Sequence, residues 1–283
     1  MNSSTLKALA LSAALLCAQP AWADYNNVFN DPCTGDVGCD GLWTPPGPAL
    51  YHGGNGTSAD GDIVGNNTDF DVLSMATALS GTNLVVTVLT RFVEFGPVNP
   101  DGSLVYPNTL YGDLMLTTTG WHPYGAAPYD YDTASNSGTS WNYVVKTEGA
   151  DAGTVYHNAA LAQATALTSD GDFRQDQYIG YGSGGTSTGS AGVAVNQTDT
   201  LPSPIDGSFD GSTGTELTYT IPLAALGLSL GNLGEIGLRW TMSCANDIVE
   251  AAIVPEPASL SLFLAGLAGL RLRRAQRAAA GPV

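Results

Sequence analysis

Between Trp121 and Tyr143 the chain places Trp121, Tyr124, Tyr129, Tyr131, Trp141 and Tyr143 beside Asp130 and Asp132, with Pro123, Pro128, Gly125 and Gly138 interrupting any regular element. Aromatic rings next to carboxylates are what a sugar-binding face needs. The ring faces stack on the apolar faces of a pyranose and the acids accept hydrogen bonds from its hydroxyls. Trp121, Tyr124, Tyr129, Asp130, Tyr131 and Asp132 are therefore the candidate glycan contacts. Trp141 and Tyr143 share one face of a strand and read equally as core.

Other chemistries find weaker footing. Asp60 with Asp62, Asp69 with Asp71, Asp130 with Asp132 and Asp170 with Asp172 are acid pairs at i and i+2. Each can bring two carboxylates to one hard cation, so a structural calcium ion is chemically reasonable, although none fits the twelve-residue calcium loop. Glycoside hydrolysis by such a pair is a distant alternative. His52, His122 and His157 lack ligand spacing, and no cysteine pair supports a zinc site. Ser183 lies in Tyr181-Gly182-Ser183-Gly184-Gly185, where a serine-protease motif would need an acid at Gly182. No cofactor is expected, and the chain reads as non-enzymatic.

The elements that must position these residues read as all-β. Ser, Thr, Gly, Asn and Asp supply most of the polarity, a composition for strands and turns rather than helices. Phe70 to Leu79 and Leu84 to Phe95 form an expected hairpin about Ser80-Gly81-Thr82-Asn83. Asp113 to Thr119, Trp141 to Thr147, Thr154 to Asn158, Gln177 to Tyr181, Gly192 to Val195 and Thr215 to Ile221 are further short strands. Pro222 to Gly227 reads as one helical turn with proline at its start and glycine at its end. Ile236, Leu238, Trp240, Met242 and Cys244 alternate with smaller or polar residues, which puts all five on the buried face of a long closing strand. Gly182 to Gly192 is low in complexity and is expected to be a flexible surface loop. The spacing predicts an antiparallel β-sandwich, jelly-roll-like, with long loops.

The net charge is −17. Of the nine basic residues only Arg91, Lys146, Arg174 and Arg239 lie between Asp24 and Val254, whereas Glu256 is the one acid outside that span. Nucleic acid and anionic membrane surfaces are poor partners for such a body.

The two ends carry addresses. Lys7, the apolar stretch Ala8 to Ala18 and Ala21-Trp22-Ala23 before Asp24 have the layout of a secretory signal peptide. Residues 1–23 are thus expected to be removed, taking Cys17 with them. A lipoprotein reading of Cys17 needs a small residue at Leu16 and does not have one. In an oxidising compartment Cys33 and Cys39, which frame Thr-Gly-Asp-Val-Gly, are expected to form a local disulfide. Cys244 reads as a buried, inert thiol.

At the other end, Pro255-Glu256-Pro257 precedes Ala258 to Leu270, which contains no charge, and then Arg271, Arg273, Arg274 and Arg277. As a helix the apolar run is about 20 Å long, short of the ~30 Å hydrocarbon core, so it spans a membrane only marginally. The arginines would keep that end cytoplasmic and snorkel to make up length. This order of motif, apolar run and basic end resembles the PEP-CTERM sorting signal of Gram-negative bacteria, which an exosortase reads. The resemblance divides the chain into 1–23, an ectodomain over 24–254 and the sorting signal over 255–283. The Gly112-Asp113 strand, the Gly120-Trp121 loop, the Trp141-x-Tyr143 strand, the Ile221-Pro222-Leu223 turn and the Trp240 to Asp247 strand are, in that order, similar to ectodomains that precede such tails.

The resemblance implies an exosortase as partner and transient anchoring in the inner membrane through the C-terminal helix. Delivery to the cell surface or to an exopolysaccharide-containing matrix follows from it. Recognition of that polysaccharide is the alternative function.

Overall fold

The computed structural model describes residues 27–30, 50–52, 70, 72–94, 101, 103–104, 106–122, 138–164, 177–198 and 214–253. They belong to one compact unit, Asn26–Ile253. Its strands are β1 (Asn27–Asn30), β2 (Leu50–His52), β3 (Val72–Ser80), β4 (Asn83–Thr90), β5 (Leu114–Thr117), β6 (Tyr143–Val145) and β7 (Thr154–His157). They continue as β8 (Ala160–Gln163), β9 (Tyr178–Ser183), β10 (Thr186–Ser190), β11 (Gly192–Thr198), β12 (Gly214–Pro222), β13 (Ile236–Thr241) and β14 (Ile248–Ile253). The expected signal peptide, Cys33 and Cys39, the four acid pairs and the C-terminal tail lie outside the described residues.

The described region is all-β and every strand pairing in it is antiparallel. One sheet has the order β1-β3-β4-β12-β11 and a second β10-β7-β6-β5-β13-β14-β2, while β8 and β9 form a separate ribbon. The arrangement is consistent with a β-sandwich. The two large sheets meet through Leu84, Val86, Val88, Leu217, Tyr219 and Ile221 on one side and Leu114, Leu116, Ile236, Leu238 and Trp240 on the other, all fully buried. A hydrogen-bonded chain crosses this core. Trp240 Nε1 donates to Tyr219 Oη at 3.1 Å. Thr147 Oγ1 donates to the Gly112 carbonyl at 2.6 Å. The Tyr219 hydroxyl, 2.8 Å from Thr147 Oγ1, must therefore donate to it. Each of these three buried polar side chains thus finds a partner.

The β3–β4 hairpin is tighter than expected. Ser80 pairs with Asn83, leaving a two-residue turn in which Gly81 takes a φ of 61° at the position where a type II′ turn needs it positive. The helical turn is present as a 3-10 turn, Leu223–Leu226, closed by Gly227 at a φ of 67°.

Three expectations are corrected. Gly182 to Gly192 is not a flexible loop: it ends β9, contains all of β10 and begins β11. Its Ser and Thr residues are exposed, and order comes from the backbone ladder with β7 and from Thr188 Oγ1, which donates to the Ala225 carbonyl at 2.7 Å, rather than from apolar side chains. Gly189 must be small there, since an added Cβ would stand 2.7 Å from the Ala225 methyl. The strand from Ile236 stops at Thr241; Met242 makes an isolated bridge to Tyr111, and Ala245 turns the chain at a φ of 49°. That strand is also not the last, because β14 returns beside it.

Candidate functional site

Strand β13 sends Ile236, Leu238 and Trp240 toward the five-stranded sheet, so Gly237, Arg239 and Thr241 face outward. All six are buried. The outward face is covered by the β8–β9 ribbon. Leu161, Tyr178 and Tyr181 pack with Trp121 on Met115, Trp141 and Val144, and Ile179 packs on Ala164, Ala245 and Ile248. Here the chain hides its one fully buried cation among the described residues. Arg239 and Glu250, opposite each other in the β13–β14 register, are both at 0% exposure and form an ion pair through Nη1 and Oε1. Arg239 Nη2 also donates to Gln177 Oε1 at 2.9 Å, and Nε to the Tyr178 carbonyl at 3.2 Å.

Trp121 is tied into the same cluster. Its indole N–H donates to Glu250 Oε2 at 3.0 Å, and its backbone N–H to Glu235 Oε1 at 2.6 Å. An added Cβ at Gly237 would stand 3.1 Å from the Trp121 Cβ, so glycine is what lets the tryptophan approach β13. Trp121 is thus half-buried, with its polar atom directed into the protein. Trp141 and Tyr143 are core, at 5% and 7% exposure. Tyr124, Tyr129, Asp130, Tyr131 and Asp132 lie outside the described residues, so the structure brings together none of the predicted sugar contacts beyond placing Trp121.

A second polar centre holds the ribbon down. Asp113 accepts from the backbone N–H of Thr147 at 2.7 Å and of Tyr181 at 2.9 Å, and Lys146 Nζ lies 3.6 Å from Oδ2. Desolvation raises this carboxyl, while the two N–H donors and the Lys146 charge pull it back. The neighbouring Gly112 has no room for a side chain: a Cβ would lie 2.0 Å from the Thr241 carbonyl oxygen and 2.8 Å from that of Ile179. Outside this clasp Tyr156 and Tyr181 stack at 4.3 Å, and Lys146 Nζ sits 5.5 Å from the Tyr181 ring centre.

The third centre is an acid pair that sequence reading missed. Glu94, 3% exposed, follows β4, and its carboxyl is hydrogen-bonded to Glu148. Burial and the hydrogen bond and charge of Glu148 push Glu94 up to about 7. Tyr111 fixes the loop: its hydroxyl accepts from the Glu94 N–H at 3.0 Å and stands 2.7 Å from Thr215 Oγ1. The two glutamates are 54 positions apart, and only the fold brings them together.

Of the histidines, His157 packs on Tyr143 with ring centres 4.6 Å apart, and the His122 backbone N–H donates to Thr139. Ser183 is exposed at the end of β9. No group of three or more His, Cys, Asp or Glu side chains is placed to hold a metal ion among the described residues. Cys244 is a fully buried thiol, as expected, but it lies in the turn after β13, where Ser243 and Ala245 are buried as well, so its burial does not come from strand alternation.

The chemistry of these centres is mostly inward: fixing a ribbon to a sheet, satisfying a buried ion pair, setting one carboxyl against another. Comparison with protein-family models, with curated proteins and with solved structures finds no match.

Proposed function

We propose that this chain is an exported, non-enzymatic surface or extracellular-matrix protein, sorted and processed by an exosortase at a PEP-CTERM signal. The observation that carries this reading is the place of the motif. Strand β14 ends at Ile253, and Pro255-Glu256-Pro257 begins two residues later. Since β14 lies between β13 and β2, both of its described neighbours precede the motif in the chain. Cutting the chain there removes no described strand. Two prolines, which lack amide donors, favour an extended backbone, a shape suited to a processing cleft.

On this reading the ectodomain is a jelly-roll-like β-sandwich. Exopolysaccharide is its matrix partner. Because the Trp121 indole N–H is engaged by Glu250, a sugar at that residue would be held by stacking on the ring alone.

The test is a chain ending at Ile253, compared with the full chain for location in the native host. The full chain should reach the cell surface or matrix, and the shortened one should be exported but stay in the periplasm. Equal surface delivery of both would remove the sorting role of the tail.

A further inference from the structure

Strands β7 and β10 pair within the seven-stranded sheet, with His157 opposite Thr186. The same two stretches of chain continue as β8 and β9, with Ala160 opposite Ser183, but there they have left that sheet and form their own ribbon. Both stretches bend at the same level. Asn158 takes a φ of 54° on one, and Gly184 and Gly185 take 69° and 76° on the other. The Asn158 N–H still reaches the sheet, donating to the Asn142 carbonyl at 2.9 Å. The crossing is close: a Cβ on Gly185 would stand 2.9 Å from the Ala159 Cα and from the His157 carbonyl oxygen, so the bend needs glycine there.

We propose that the β8–β9 ribbon is a flap, hinged at Asn158 and at Gly184 with Gly185, that lifts as a unit while the two large sheets stay closed. Its attachment differs from theirs. No ladder joins the ribbon to the seven-stranded sheet. It is tied by separate hydrogen bonds: the Tyr181 N–H to Asp113 Oδ2, the Asp113 N–H to the Ile179 carbonyl, and Arg239 to the Tyr178 carbonyl and to Gln177 Oε1. Leu161, Tyr178, Ile179 and Tyr181 are only half-buried against the sheet, and Ala160, Gln163, Gly182 and Ser183 are exposed. A segment with so little buried apolar surface opens at a lower free energy than the whole fold. What lies beneath lowers the cost further. Lifting the flap lets water replace the Tyr178 and Gln177 oxygens at Arg239, and hydration of the guanidinium offsets part of what is lost. The ion pair with Glu250 stays, because both partners belong to the β13–β14 ladder. The flap thus decides whether this fully buried cation meets solvent. The inference stands on the ribbon alone and is independent of the sorting reading.

Hydrogen exchange of the full chain, in a mild nonionic detergent that accommodates its apolar run, reads the opening. The amides of β8 and β9, with those of Ala164 and Tyr181, should exchange as one group, at least about tenfold faster than the amides of β4 and β12. Gln177→Ala removes one tie to Arg239, so it should speed that group by a further factor of about ten and leave β4 and β12 at the parental rate. Ribbon amides that exchange no faster than those of β4 and β12 overturn the flap. So does a Gln177→Ala variant that fails to speed the ribbon selectively.

Discussion

The indole N–H of Trp121 reaches 129 positions along the chain to donate to Oε2 of the fully buried Glu250. An aromatic residue read from sequence as a recognition platform is therefore also a hydrogen-bond partner of the ion pair under the β8–β9 ribbon. Its ring packs on the Met115, Trp141 and Val144 cluster, so the residue links the loop after β5 to β13 and β14.

Trp121→Phe should keep most of the packing and lose the donor to Glu250, costing about 1 to 3 kcal/mol. Trp121→Ala should lose the ring as well and cost more, about 3 kcal/mol or above. Thermal or denaturant unfolding of both variants checks the order. Equal melting temperatures for parent and alanine variant would place Trp121 outside the fold's support.

Arg239→Leu strands a buried carboxylate, and Glu250→Leu strands a buried guanidinium, so each alone should cost about 3 to 5 kcal/mol. The double variant should be far less unstable than the sum, because the attraction largely offsets the desolvation of the two charges. A double-mutant cycle by denaturant unfolding reads the coupling, and strict additivity would contradict the paired geometry.

Glu94 gives the fold a pH dependence of definite sign. Its pKa in the folded protein, about 7, lies above the ordinary carboxyl value, so the folded state binds the proton more tightly. The stability this contributes is fully present below about 4.5, and it fades as pH rises through about 7. After discounting for solvent at the half-buried Glu148, the loss is about 1 to 2 kcal/mol. Glu94→Gln keeps a donor toward Glu148 without the titration. The stability difference between pH 5 and pH 8 should shrink in that variant, and an unchanged pH profile would assign the dependence elsewhere.

Gly112→Ala should be among the most damaging small changes in the chain, because both obstructing atoms are backbone carbonyl oxygens that have no rotamer to move. Loss of soluble folded protein, or a melting point many degrees lower, is the expected outcome. An alanine variant of parental stability would mean the ribbon sits farther from Asp113 than described.

Much of the fold was legible where one face of a strand is apolar and the other is not. In β12 and β4 the period of two is plain, and Leu217, Tyr219 and Ile221 meet Val88, Val86 and Leu84 in register. Legibility fails where both faces are covered. Strand β14 reads Ile-Val-Glu-Ala-Ala-Ile, with no alternation and a carboxylate in the middle, since Glu250 is buried by an arginine on its neighbour. It fails again at β10, where Thr186 to Ser190 has the composition of a linker and is ordered by backbone pairing with β7 and by Thr188 Oγ1, which donates to the Ala225 carbonyl. The Glu94–Glu148 pair had no local signal, because its meaning comes from the distance the fold closes. The sorting motif is the opposite case: its residues are contiguous, and their order is the whole signal.

The measurement that bears most directly on the central claim is the intact mass and location of the exported protein, for the parent and for Pro255→Ala with Pro257→Ala. The account predicts a parent that lacks the tail and is found at the surface or in the matrix, and a variant that is heavier and retained in the membrane. Identical mass and location for the two proteins would contradict it.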